Sequence, residues 1–418
     1  MLRADLGSAR VLARPGDRRL WVLDAVSGAL WDAQAAGVAP AAIADALARR
    51  FGMEIEAAGR HLDRLRDSWR GAGLLDAAVA AARDDVFPPP PAFPAPGAAP
   101  PQPHSLRLAL RLDIAGQAIV ADIEDPELRA LCAPLLAPLG ATGRRAGADA
   151  PVADRVILAG DPMRWRLTVN GAEMERFPPA REPVRGSNGL STGSPGAPDA
   201  GAGRDAAVVA LMTTLAELGC RTRDRLLVVH GAGLLSPQGA GLLLVAPGGS
   251  GKTTLAMALE AEGFRLLSDD VVPIRADGAA LGLGLPACVK RGAWGALAGR
   301  RPDVAQAPEI FRFGQAVRLL TPRNPPFTGA VAPGVLLFPA YRPGAAPSSS
   351  SLTPDQALRG LVEAEAVIRD LTQSRLDALC RWISSMPAFS IAYPDLDAGL
   401  SLVRRALAAS AASPAASP

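Results

Sequence analysis

The alternation of apolar and polar positions divides the chain into two regions separated by a proline-rich segment. In the first region the pattern predicts a strand at residues 19–23 that ends near Ser27 and Gly28. It predicts helices from Ala29, over residues 40–51 and over residues 54–70. The last helix has an apolar face and an opposite face with four arginines (Arg60, Arg64, Arg66 and Arg70). Residues 1–82 are therefore predicted to form a small independent domain.

Low-complexity segments set the other predicted boundaries. Residues 83–104 are rich in proline and are expected to form an extended linker. Residues 105–225 are predicted to form an α+β region that precedes the next domain. A flexible insertion rich in Gly, Ser and Pro is predicted within it, at 178–204. Residues 226–408 are predicted to form an α/β domain, and residues 409–418 a disordered tail.

One segment of the α/β domain has the spacing of a phosphate-binding loop. The octapeptide APGGSGKT, residues 246–253, follows an apolar strand at 241–245 and precedes an amphipathic helix. Its glycines allow backbone N–H groups to converge on phosphate oxygens, Lys252 would reach the β- and γ-phosphates, and the Thr253 hydroxyl would coordinate Mg²⁺. ATP and Mg²⁺ are therefore the predicted cofactors. The predicted nucleotide-binding residues are Gly248, Gly249, Ser250, Gly251, Lys252, Thr253 and Thr254.

Lysine is almost absent from this chain, and its positions carry information for that reason. Only two of the 44 basic side chains, Lys252 and Lys290, are lysine. A compact ammonium and a planar guanidinium do not substitute for each other at a tight phosphate site. Lys290 is thus a second candidate for the site, with retention by chance as the alternative.

Two neighbouring acids and one histidine complete the candidate chemistry. Asp269 and Asp270 follow a predicted strand at 264–267, where a phosphate-loop enzyme needs an acid for its magnesium shell. One carboxylate can hold the metal and the other can accept a proton from an attacking hydroxyl. A solvated acidic turn is the alternative interpretation. His230 is predicted to end the strand at 226–230, and a lone histidine is more often structural than catalytic.

These motifs together resemble the C-terminal domain of HPr kinase/phosphorylase. The resemblance covers about 50 residues: His230-Gly231, the phosphate loop, and GFRLLSDD at 263–270, with Ser268 in place of an alanine. It implies a mixed sheet of the HPr kinase/PEP carboxykinase type. It also implies that Asp269 binds the metal together with Thr253, that Asp270 is the general base, and that Lys252 and His230 lie at the transferred phosphate. The order of the two roles within the acid pair stays open.

The resemblance has limits that change the expected activity. Past the acid pair there is no Glu-Ile-Arg-Gly stretch of the kind tied to the phosphorylase reaction in HPr kinases. We therefore expect phosphorylation of a serine or threonine hydroxyl, without HPr itself as the substrate. Members of that family assemble as hexamers, which makes a homo-oligomer compatible with the resemblance, although no segment of the sequence marks an interface.

The N-terminal region has a second, more diffuse resemblance. Short strands followed by three helices, ending at Gly71 and Gly73, resemble the winged-helix PqqD-like peptide chaperones of pyrroloquinoline quinone biosynthesis. Those domains capture the leader of a ribosomally made peptide. A DNA-binding winged helix is the alternative, because arginines line one face of the third helix.

Composition narrows the setting. The net charge of +3 is weak for 418 residues, so a nucleic-acid partner is not expected. No apolar run approaches the ~20 residues of a membrane span, and no secretory signal pattern opens the chain. The four scattered cysteines fit a reducing, cytoplasmic compartment.

The sequence thus predicts a kinase that acts on a peptide or protein, with a peptide captured by the N-terminal domain. Two alternatives stay open. The first is a small-molecule kinase whose N-terminal domain only packs against the core. The second is a non-catalytic ATP-binding regulator that uses its winged helix on DNA.

Overall fold

The computed structural model describes residues 1–15, 19–75, 109–140, 154–160, 165–177, 200–221, 224–312, 314–368 and 371–412. The predicted linker at 83–104 and most of the predicted insertion at 178–204 lie outside these residues.

The described chain is a mixed α/β structure with strands in four sheets. The strands are β1 (Leu2–Leu6), β2 (Ala9–Ala13), β3 (Leu20–Leu23), β4 (Leu110–Ile114), β5 (Gln117–Ile123), β6 (Asp154–Ala159), β7 (Trp165–Val169), β8 (Ala172–Phe177), β9 (Arg225–Leu235), β10 (Gly241–Val245), β11 (Arg265–Ser268), β12 (Val271–Arg275), β13 (Ala280–Leu281), β14 (Ala287–Lys290), β15 (Glu309–Arg312), β16 (Gln315–Leu320), β17 (Ala330–Val331), β18 (Pro333–Tyr341), β19 (Ser348–Leu352) and β20 (Ala388–Tyr393). The helices are α1 (Ala25–Ala35), α2 (Pro40–Phe51), α3 (Ile55–Gly71), α4 (Pro126–Leu136), α5 (Ala200–Cys220), α6 (Lys252–Ala261), α7 (Trp294–Leu297), α8 (Pro354–Glu363), α9 (Gln373–Ser384) and α10 (Leu396–Ala412).

The N-terminal domain consists of an antiparallel sheet, β1-β2-β3, followed by α1, α2 and α3. The predicted helix at 40–51 is confirmed, and α3 differs from its prediction by one residue at each end. The prediction for the first helix was wrong, because α1 begins at Ala25 and includes Ser27 and Gly28. The Asp24 side chain caps this helix by accepting a hydrogen bond from the Ser27 N–H at 2.7 Å.

Strand β2 is buried on both faces, and the two faces pack in different cores. Leu12 packs in a core with α1, α2 and α3. Its neighbours Val11 and Ala13 point the other way and pack in a second core with α8, α9 and the central sheet. The N-terminal domain therefore packs through β2 against α8, α9 and the central sheet.

The two edges of the N-terminal sheet are held differently. At β1 the Gln373 side chain accepts from the Arg3 N–H at 3.3 Å and donates to the Arg3 carbonyl at 2.6 Å. At β3 the Arg359 guanidinium of α8 donates to the Val22 carbonyl at 2.8 Å. Each outer edge is thus hydrogen-bonded to a side chain of α9 or α8.

The α+β region predicted at 105–225 forms a five-stranded sheet in the order β4-β5-β6-β7-β8, with α4 and α5 packed against it. Helix α5 begins at Ala200, within the segment that was predicted to be a flexible insertion. At the other end of the chain α10 continues to Ala412, into the predicted disordered tail. No helix in the described part of the chain combines the length and hydropathy needed to cross a bilayer.

The central sheet has the order β17-β13-β12-β9-β10-β18-β20-β19, and β11 also pairs with β9. The pairs β10–β18 and β18–β20 are parallel, and the other pairs in the sheet are antiparallel. Strand β9 does not end at His230, as predicted, but continues to Leu235. A Cβ at Gly231 would lie 2.3 Å from the Leu244 carbonyl oxygen, so glycine there permits close pairing with β10 rather than marking a turn.

A buried ion pair anchors the helix that follows the phosphate loop. Glu260 of α6 and Arg301 are fully buried and bonded to each other. Glu260 also accepts from the backbone N–H groups of Arg323 at 2.6 Å and Asn324 at 2.9 Å. Arg301 has a second carboxylate partner in Asp303 at 2.7 Å. The lone pairs of Glu260 are therefore satisfied by groups that fix the end of α6.

We predict that Glu260→Gln lowers the free energy of unfolding by about 3 kcal/mol, because the amide N–H₂ would face the buried Arg301 guanidinium. The matched control is Glu262→Gln, which removes an exposed pair with Arg404 and is expected to cost less than about 1 kcal/mol. Urea denaturation measures both variants. Equal costs would show that the buried pair does not anchor α6.

Candidate active site

The loop between β10 and α6 has the backbone conformation that its glycines permit. Gly249 and Gly251 have φ of 83° and 92°, in the left-handed region that favours glycine. A Cβ at Gly251 would lie 2.8 Å from the Tyr393 hydroxyl, whereas a Cβ at Gly248 or Gly249 would meet nothing within 4 Å. The loop therefore packs against Tyr393 at Gly251 and has open space at Gly248 and Gly249, where a ligand can approach its N–H groups.

Lys252 folds back over this loop. Its ammonium donates to the carbonyls of Ala246 and Pro247, the latter at 2.9 Å. Burial lowers the pKa of Lys252, the charge of Lys290 lowers it further, and the acid pair opposes both effects. The structure thus places Lys290, which is exposed at the end of β14, within electrostatic reach of Lys252.

Thr253 and Asp269 are brought together as predicted for a magnesium site. The Thr253 hydroxyl donates to Asp269 Oδ1 at 3.0 Å, and the Cys288 N–H donates to Asp269 Oδ2 at 3.3 Å. Burial, and secondarily the charge of Asp270, raise the pKa of Asp269 to about 7. An uncompensated carboxylate of this kind is a fitting partner for a cation.

The donor set around Asp269 fits magnesium rather than a metal held by protein alone. Among the described residues no cluster of three or more His, Cys, Asp or Glu side chains has metal-binding geometry. Mg²⁺ typically takes one or two protein oxygens and completes its shell with phosphates and water. The buried Ser250 hydroxyl has no hydrogen-bond partner within the described structure, so the loop has a polar atom available for a ligand. Thr254 is half-buried in the first turn of α6.

Asp270 is held in a strained backbone conformation. Its φ is 74°, which is uncommon for a residue with a Cβ and costs on the order of 1–3 kcal/mol. Two contacts maintain it: the Gly231 N–H donates to the Asp270 carbonyl at 3.1 Å, and its carboxylate pairs with Arg312 at 2.9 Å. The side chain is half-exposed. The left-handed backbone at Asp270 directs the two adjacent carboxylates to different partners: Asp269 contacts Thr253, and Asp270 contacts Arg312.

His230 lies on β9 directly opposite Val271 of β12, the residue after the acid pair. Burial lowers the pKa of His230, and the charge of Lys252 lowers it further, while Asp270 opposes these effects. A pKa below the ordinary value leaves the imidazole neutral at pH 7, where it can donate or accept a hydrogen bond but adds no positive charge.

Three residues of the site were missed by the sequence analysis. Arg312, at the end of β15, pairs with Asp270, and Cys288 of β14 contacts Asp269 through its N–H. Glu365 follows α8, has φ of 60°, and its charge raises the pKa of both His230 and Lys252. Hydrogen bonds between Val228 and Val367, at 2.8 and 2.9 Å, attach that segment to β9. None of the three belongs to a local motif, so no sequence signal identified them.

Comparison with known proteins identifies the N-terminal domain. Residues 10–75 match the family of coenzyme PQQ synthesis protein D (PqqD). The match begins within β2 and ends just after α3, so this part of the chain is PqqD-like. It does not include the phosphate loop or the acid pair, whose interpretation rests on their geometry. No curated protein matches the chain.

We predict that Asp269→Asn stabilises the magnesium-free protein at pH 8 but not near pH 4. The folded state holds the Asp269 proton up to about pH 7, whereas the unfolded state releases it near its ordinary pKa of 3.8. Stability contributed by this group therefore falls as pH rises through that window, and the amide escapes the loss. The expected gain at pH 8 is on the order of a few degrees in Tm.

Thermal melts in a chelating buffer from pH 4 to pH 8 measure this difference. The matched control is Asp277→Asn, which changes an exposed aspartate at the other end of β12. A wild-type-to-Asp269→Asn difference that does not change with pH would contradict the raised pKa.

Proposed function

We propose that the protein is an ATP- and Mg²⁺-dependent kinase that phosphorylates a serine or threonine hydroxyl of a peptide or protein. The hydrogen bond between Thr253 and Asp269 is the observation that carries this proposal. It joins the hydroxyl of a phosphate loop to an acid that directly follows β11, with a second acid beside it, which is the arrangement that phosphoryl transfer needs.

The side chains have separate roles in this proposal. The loop N–H groups and Lys252 would hold the phosphates, and Thr253 and Asp269 would hold Mg²⁺, which would supply positive charge to offset that of the phosphates. Asp270 accepts the hydroxyl proton while the acceptor oxygen bonds to the γ-phosphorus and the bond to ADP breaks. Arg312 fixes the Asp270 carboxylate, and neutral His230 adds a hydrogen-bonding group beside Lys252.

The PqqD-like domain suggests a peptide-binding role in a modification pathway, which favours a ribosomally synthesised precursor peptide as the substrate. The sheet offers an edge for such a peptide. On β3, Val22 is paired with Val11, and its carbonyl points outward to Arg359. In an antiparallel strand the N–H of the same residue points outward too. The β3 edge thus presents main-chain groups to which a peptide strand can add.

The DNA-binding alternative is disfavoured by the charges on α3. Three of its arginines are paired with acids one turn away on the same helix: Arg60 with Glu56, Arg66 with Asp63, and Arg70 with Asp67. A duplex-binding helix needs an unbalanced positive face to release counterions from the backbone. The small-molecule kinase alternative differs from the proposal in the molecule that accepts the phosphate.

We expect transfer of labelled γ-phosphate from Mg·ATP to peptides encoded beside this gene, and we expect Asp270→Asn to lower kcat by about 10²–10⁴-fold. The loss follows from removal of the proton acceptor. The matched control, Asp277→Asn, exchanges another arginine-paired aspartate for its amide and should transfer phosphate normally.

Phosphate on a peptide hydroxyl, lost only in Asp270→Asn, would support both the reaction and the base. Undiminished transfer by Asp270→Asn would remove the assigned base. Labelling of a small metabolite with no peptide labelled would favour the small-molecule kinase instead.

We predict that Val22→Pro weakens peptide binding at least about tenfold, because it removes one outward N–H that an added strand would use. Proline is tolerated at a strand edge, so the domain should still fold. Val22→Ala is the matched control, since it shortens the side chain and keeps the N–H. Fluorescence anisotropy of a labelled peptide measures binding, and equal affinity losses in the two variants would argue against strand addition at β3.

A further inference from the structure

A cavity of about 270 Å³ lies beside the acid pair, on the side formed by α5 and by β12, β15 and β16. Asp269, Asp270 and Arg312 line one end of it. Most of the remaining wall is apolar and includes Leu283 and Ile310. The cavity is thus a largely apolar space with a charged end.

Helix α5 contributes a continuous stripe to this wall. Val209, Met212, Ala216 and Cys220 recur at helical spacing along the cavity. The other side of α5 is fully buried against the five-stranded sheet, where Leu211 and its neighbours pack. Val209, Met212 and Ala216 stay half-buried, because the cavity leaves them without a full set of packing partners. Apolar wall residues of this kind are typical of ligand pockets.

The acid pair connects the cavity to the phosphate loop. Asp269 accepts from Thr253 of the loop and also lines the cavity. In a phosphate loop the residue at Thr253 serves the metal that bridges the β- and γ-phosphates. The cavity therefore adjoins the γ-phosphate end of the nucleotide site, where the acceptor has to approach.

We propose that this cavity is the acceptor subsite, and that it holds a bulky apolar side chain of the substrate next to the hydroxyl that is phosphorylated. The proposal rests on the kinase function proposed above. It assigns the hydroxyl to the charged end, at Asp270, and the apolar group to the α5 stripe.

Size and charge define the substrate class. An apolar cavity of about 150 Å³ suffices for benzene, so this one admits a side chain such as Leu, Met or Phe with the adjoining backbone. Glu217 of α5 also lines the cavity, and Arg312 already pairs with Asp270. An acidic residue beside the hydroxyl would face several carboxylates, so the subsite selects an apolar neighbour and rejects an acidic one.

The test compares two alanine-to-leucine variants of α5. Ala216→Leu fills the cavity, and Ala202→Leu adds the same atoms at an exposed position of the same helix. Each is assayed with Mg·ATP on a substrate peptide and on versions whose residue beside the phosphorylated hydroxyl is changed to Ala or Glu. Melting curves establish that both variants fold.

We expect Ala216→Leu to lower kcat/KM by about 10- to 100-fold and to leave ATP affinity unchanged, while Ala202→Leu behaves as wild type. Changing the peptide residue beside the phosphorylated hydroxyl to Ala or Glu should lower kcat/KM of the wild-type protein by a similar factor. Met212→Ala, which enlarges the cavity, should shift the preference toward a larger neighbour such as Trp, an effect that loss of structure alone would not produce.

Failure of the kinase proposal and failure of the acceptor-subsite proposal give different results. If the wild type labels no peptide, the kinase proposal itself is overturned. If it labels peptides but is indifferent to Ala216→Leu and to the neighbouring residue, only the acceptor subsite is overturned. A parallel loss of ATP affinity in Ala216→Leu would assign the cavity to the nucleotide base instead.

Discussion

The hydrogen-bond ladders on the two edges of β9 set the geometry on which the candidate site depends. One edge pairs with β10, which leads into the phosphate loop, and the other pairs with β11 and β12, which flank the acid pair. Strands β10 and β12 are consequently two ladder spacings apart, roughly 10 Å. That distance is bridged by the side chains of Thr253 and Asp269, which meet beside β9. The close strand pairing at Gly231 and the strained backbone at Asp270 occur at the same place, because the Gly231 N–H donates to the Asp270 carbonyl.

Apolar spacing and short motifs predicted those parts of the site that lie within one continuous stretch of sequence. The phosphate loop, the start of α6 within one residue, and the strand before the acids all follow from residues close together in sequence. Residues whose role depends on a partner far away in the sequence could not be predicted in this way. His-Gly at 230–231 was interpreted as the end of a strand, although Gly231 lies within β9 because a neighbouring strand comes so close. Arg312 and Glu365 could not be predicted, because strand pairings between segments far apart in the sequence bring them to the site.

The N-terminal domain illustrates a similar limit. Its helices were largely predictable from apolar spacing, but Val11, Leu12 and Ala13 form an uninterrupted apolar run that has no preferred face. Only the structure shows that such a run divides its side chains between two cores. The PqqD-like domain therefore packs one face of its own sheet against α8, α9 and the central sheet.

Helix α8 spans the distance between the two proposed binding surfaces. Its Arg359 bonds to Val22 on the β3 edge, and Glu365 follows its C-terminal end, near Lys252 and His230. A peptide strand that takes the Val22 carbonyl has to displace Arg359, and the displacement acts on an element that also borders the phosphate site. Wherever such a shift alters nucleotide affinity by some factor, occupancy by nucleotide must alter peptide affinity by the same factor. Arg359 and Glu365 thus place the start and the end of one segment beside the two proposed binding surfaces.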